Sequence, residues 1–104
     1  MQLPFDLQLE QVLGPIAVSQ NMLGLSEVPQ KYFYARQVVG DPKQNLEWQI
    51  VHQPSARGIR VQERFHVSRF AIWGMSHVIT PEFFLWINLH PGQTQTWQRE
   101  YTFF

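Results

Sequence analysis

The chain has 104 residues, room for one domain and too little for two ordinary ones, and its 44% apolar and 14% aromatic content excludes a disordered chain. Eight basic and eight acidic side chains balance, so no net charge draws it toward nucleic acid or an anionic membrane. The absence of cysteine excludes disulfides, thiolate metal sites and cysteine nucleophiles.

The opening Met-Gln-Leu-Pro-Phe-Asp-Leu carries neither a basic region nor a long apolar run, so no signal peptide is expected. No segment approaches the ~20 apolar residues of a membrane span. A soluble, cytoplasmic protein is the resulting expectation. Over the first thirty residues Pro4, Gly14, Pro15, Gly24 and Pro29 cut the chain into short pieces. Phe5, Leu9, Val12 and Leu13 have helical spacing, with Pro4 suited to a first turn and Gly14 to a stop. Phe5, Leu7 and Leu9 also alternate, which would suit a strand. A second short helix fits from Pro15 to Leu23, closed by Gly24.

From Lys31 onward the pattern is β. Tyr32 to Val39 is aromatic and β-branched, and Gly40 to Asn45 is dense in turn residues. Leu46, Trp48, Ile50 and His52 alternate with Glu47, Gln49, Val51 and Gln53, and Pro54 to Gly58 forms the next turn. Gly58 to Val67 alternates most regularly of all. Ile59, Val61, Phe65 and Val67 share one parity with Glu63, and Arg60, Gln62, Arg64 and His66 share the other. These three strands suggest a meander. After Ser68 the parity slips, which a β-bulge or a turn into a new strand would explain, and Gly74 would suit a bend. Thr80-Pro81-Glu82 breaks the pattern before an expected strand from Phe83 to Leu89, apolar on both faces and so placed centrally or against a second layer or partner. Pro91-Gly92 suits a type II turn. The last expected strand, Thr94 to Phe103, carries Trp97, Tyr101 and Phe103 on one parity, interrupted by Arg99. Together these elements predict an α+β fold in a single domain over 1–104: a strongly curled antiparallel sheet of five or six strands with one or two short N-terminal helices. A small all-β barrel is the alternative.

Four of the six arginines, Arg57, Arg60, Arg64 and Arg69, fall within thirteen residues. Guanidinium groups match phosphate or carboxylate oxygens in two-point contacts, so this face could bind single-stranded nucleic acid beside stacking aromatics. Against that stand the balanced charge, the presence of only two lysines, and acids such as Glu47 and Glu100 available to pair with the arginines. Glu63 on an apolar parity would be desolvated, as a general acid or base is, and His52 or His77 could assist it in a small hydrolase or isomerase. His66 points to the opposite face of the same strand. The competing expectation is that Glu63 sits at a strand edge or bulge, or pairs with an arginine. His52, His66, His77 and His90 show no metal-ligand spacing, and no nucleophile elbow, phosphate loop or dinucleotide fingerprint is present, so no metal and no cofactor is expected.

Trp48, Trp73, Trp86 and Trp97, with Phe84 and Tyr101, exceed what one face of a small sheet needs. Interfaces enrich Trp, Tyr, Phe and Arg and deplete Lys and Glu, a bias this chain shares. The reading that follows is a non-enzymatic binding or interaction module that self-associates, a homodimer being the first expectation. Its aromatic pocket or interface would be flanked by arginines. The residues expected to bind a ligand or partner are Arg60, Arg64, His66, Trp48, Trp73, Trp86 and Trp97.

Overall fold

The computed structural model describes the backbone of residues 1–43 and 45–104 and the side chains of 1–39 and 45–104. Among the described residues the chain is all-β. The strands are β1 (Gln11–Leu13), β2 (Ile16–Ser19), β3 (Met22–Leu25), β4 (Phe33–Lys43), β5 (Leu46–His52), β6 (Arg57–Arg64), β7 (Val67–Met75), β8 (Val78–Leu85) and β9 (Gln98–Phe103). The one helical piece described is a 3₁₀ turn, Gln53–Ser55. All pairings are antiparallel, in a four-stranded sheet β1-β4-β7-β8, a three-stranded sheet β5-β6-β9 and a hairpin β2-β3. Gln2 bridges both Met22 and Gln49, tying the hairpin to the free side of β5.

The α+β expectation is therefore corrected: neither N-terminal helix forms. Gly14 takes φ +92 and Gln20 φ 52, so the segment turns at both places and its pieces are too short to repay the cost of nucleating a helix. Ile16 to Ser19 instead folds back on Met22 to Leu25. Before it, Phe5, Leu7 and Leu9 are half-buried while their even-numbered neighbours are exposed, the period of two that competed with the helix. Gln37 of β4, itself buried, clamps this extended segment: its Oε1 accepts from the Gln8 amide (2.7 Å) and its Nε2 donates to the Asp6 carbonyl (3.1 Å). Nor does the sheet close into a barrel, since β8 and β9 each have one strand neighbour among the described residues.

Further boundaries are corrected. The turn read over Gly40–Asn45 includes Gln44, which lies outside the described residues, and β4 continues to Lys43. The meander holds only from β5 to β6, which pair as expected; β4 pairs with β1 and β7 rather than β5, so the chain changes sheet between β4 and β5. It changes again at the end of β6. The Gly58–Val67 strand stops at Arg64, and Phe65 and His66 form the corner into β7. The slip after Ser68 is real: the β7–β8 register shifts between Val67 and Arg69. β8 runs through Pro81, which an edge strand tolerates, and ends at Leu85. Trp86 to Leu89 therefore lies outside the strands. Gly92, at φ +83, occupies the expected turn, closed by the Gln93 amide donating to the His90 carbonyl.

The core lies between the two larger sheets. Phe33, Ala35, Val67, Phe70 and Ile72 come from the four-stranded sheet, and Leu46, Trp48 and Val61 from the three-stranded one. Trp48 stacks on Phe83 across the layers, with centroids 5.2 Å apart and rings 17° from parallel. Phe70 packs edge-on against Phe5 and at a tilt against Phe83. Gly74 is needed where the β7 backbone meets the Phe33 ring, which any Cβ at that position would strike.

Candidate binding surface

β6 and β9 carry the chemistry that the core does not consume. On the inward parity of β6, Val61 and Glu63 are both fully buried. Register places Arg99 of β9 directly opposite Glu63 and on the same face. The Arg99 Nε donates to Glu63 Oε2 at 2.7 Å, and a second guanidinium nitrogen donates to Oε1. The Trp48 indole N–H completes the shell, donating to Oε1 at 2.9 Å from the neighbouring strand. A carboxylate with no exposure is thus neutralised by a two-point ion pair and an indole, as burial of a charge requires. The Glu63 hydrogen bond raises the Arg99 pKa above its already high value, against the opposing effect of burial. The Arg99 guanidinium also lies 5.6 Å from the Tyr101 ring centre.

The outward parity is occupied differently. Arg60 faces Glu47 at 3.7 Å and its guanidinium lies over the Phe104 ring at 5.7 Å. Arg64 donates to Glu100 at 2.9 Å and to Gln62 at 3.0 Å, while Gln62 donates to Glu47. Both arginines therefore lie in an exposed network with the two acids.

Arg64, His66 and Trp86 meet in an open cleft of about 500 Å³, lined also by Phe65, Ser68, Leu85, Gln95 and Thr96. The β6–β7 corner supplies one wall and the segments after β8 and before β9 supply the other. Trp86 is 77% exposed, and its carbonyl accepts a long hydrogen bond from Gln95. Trp97 is half-exposed one residue beyond Thr96. Trp48 belongs to the core, and Trp73 is half-buried in β7, where its carbonyl accepts from the Thr80 hydroxyl. His52 and His77 are not brought to Glu63. His52 ends β5 opposite Arg57 and bonds Ser55, at the far end of a ladder whose other end pairs Leu46 with Glu63. His77 occupies the exposed β7–β8 turn. Among the described residues no three His, Cys, Asp or Glu side chains gather as a metal site would require, and no helix is long and apolar enough to cross a membrane.

The residues expected to bind do not include Arg99, Phe103 or Phe104, and Tyr101 enters only as part of the aromatic excess. The signal that would have linked Arg99 to Glu63 is a pair of opposite charges, each placed on the apolar parity of its own strand. On β9 the inward parity stays in water beyond Arg99: Tyr101 is 48% and Phe103 78% exposed. Phe104 extends the pairing, exchanging backbone hydrogen bonds with Gly58 at 2.8 and 3.0 Å. A side chain at residue 58 would strike both the Phe104 ring and the Ile50 carbonyl, which accounts for glycine there. Comparison with protein-family models, with curated proteins and with solved structures finds no match.

Proposed function

We propose that the chain is a small non-enzymatic interaction module that self-associates through its aromatic surface, with arginines at the margin. The observation that carries this reading is the run of exposed apolar side chains following β8 and along β9. Trp86, Ile87, Leu89, Trp97, Tyr101, Phe103 and Phe104 all remain in water in the isolated chain. Large apolar side chains exposed in this number favour an interaction site, and Trp, Tyr and Phe dominate the energetics of such contacts. Zero net charge removes the repulsion that would keep copies apart. The occupation of Arg60 and Arg64 by Glu47 and Glu100 favours this reading over nucleic-acid binding, because a phosphate would have to displace both acids.

Sedimentation velocity over a micromolar concentration series tests the proposal. The expected result is a reversible shift from monomer to dimer that weakens when Trp86 and Trp97 are replaced together by Ser. A wild-type chain that stays monomeric across the series overturns it.

A further inference from the structure

We infer that a second copy of the chain docks on the free edge of β9, extending the three-stranded sheet across a two-fold axis at Tyr101. This rests on the self-association reading above and gives it a place and a register.

The direction of the β9 backbone groups follows from its pairing with β6. Gly58 and Phe104 exchange both of their backbone bonds. Such pairs alternate along an antiparallel ladder, so Thr102, Glu100 and Gln98 spend theirs on Arg60, Gln62 and Arg64. The N–H and C=O groups of Arg99, Tyr101 and Phe103 must then point away from β6. Among the described residues β9 has no strand on that side.

Edge strands usually carry a defence, and the other edges of this fold do. β8 has Pro81 and Glu82, β1 and β2 are only three and four residues long, and β5 is bridged by Gln2. β9 has no proline, no lysine and no register shift. Its two charges are already matched within the chain, Arg99 by Glu63 and Glu100 by Arg64.

A second copy fits this edge because the strand is complementary to itself. A two-fold axis normal to the sheet keeps inward residues inward, so only residues of equal parity can face one another. Centring on Tyr101 makes it face its own copy, sets Arg99 opposite Phe103 of the second copy, and sets Glu100 opposite Thr102. Every pair among 99, 101 and 103 is then of the hydrogen-bonded kind, using the outward groups of both copies. The guanidinium that already lies over Tyr101 gains a second ring from Phe103, and no like charges face each other. Because the contact is isologous and the remaining edges are defended, association closes at two copies.

The test places like charges on the axis. Tyr101→Lys and Tyr101→Glu are each made, with circular dichroism to establish that both fold, and sedimentation velocity is run on each alone and on their equimolar mixture. The expectation is a wild-type dimer, two monomeric variants, and restoration of the dimer in the mixture. As a second readout, amide exchange by nuclear magnetic resonance should show the Arg99, Tyr101 and Phe103 N–H groups slowing with protein concentration, while those of Glu100 and Thr102 do not change. A wild-type dimer that persists in both variants, with edge amides indifferent to concentration, overturns the β9 contact and leaves self-association elsewhere on the surface standing. A monomeric wild type overturns both readings.

Discussion

Replacing Arg99 by Met removes one partner of a fully buried carboxylate and should strongly destabilise the protein while leaving it folded at ordinary temperature. Glu63 has no exposure, and its oxygens accept from Arg99 twice and from the Trp48 indole once. Without Arg99 only the indole bond remains, and breaking a buried pair on one side costs about 3–5 kcal/mol. Arg99 keeps 33% of its side chain in water, which screens the pair and places the expectation toward about 3 kcal/mol. A chain of this length has roughly 5–15 kcal/mol in total, and each kcal/mol moves the melting midpoint by about 4–8 °C. The melting midpoint should therefore fall by roughly 12–24 °C. Replacing both partners, E63L with R99M, substitutes apolar contact for the ion pair and should recover part of the loss, the Trp48 indole N–H left without its acceptor holding back about 1–3 kcal/mol. Urea denaturation of wild type, both single variants and the double variant closes the cycle and isolates the coupling. A coupling below about 1 kcal/mol, the value of an exposed pair, would refute the claim that this contact is buried and anchors β9.

Three further outcomes follow from other contacts. Trp48→Phe keeps a ring against Phe83 but removes the indole donor from Glu63, and chemical denaturation should show a loss of about 1.5–3 kcal/mol, the range for hydrogen bonds to charged groups. Gly74→Ala pushes a methyl into the Phe33 ring and should destabilise by about 1–3 kcal/mol in the same measurement, with unaltered stability refuting the close approach. Gln37→Ala frees the Asp6 and Gln8 backbone groups, and hydrogen exchange should speed up over residues 5–9 well before the β7 amides respond.

The strands that carry this surface are legible in the residue pattern because alternation reports directly which face is buried. Val61, Glu63, Phe65 and Val67 are all buried, and Arg60, Arg64 and His66 all exposed, although the strand ends at Arg64. Alternation is local, however, and does not say which strand lies alongside. It could not place β4 away from β5, nor tell that Pro81 is carried within β8 rather than breaking it. The first thirty residues misled because helical and extended spacings coincide over so few apolar positions, and tight turns at Gly14 and Gln20 settled the conflict.

Two things were therefore written in the chain before it folded: an all-round aromatic excess without net charge, and a carboxylate on an apolar parity that some cation had to meet. Which cation, and what then stays exposed, depended on contacts distant in sequence. Glu63 and Arg99 are 36 residues apart, and only the β6–β9 register makes them neighbours. That same register turns the Arg99, Tyr101 and Phe103 backbone groups outward along an open edge. Hydrophobic periodicity encodes the inside and outside of each strand, but strand partners are chosen by cross-strand packing and hydrogen bonding, which no short window of sequence contains.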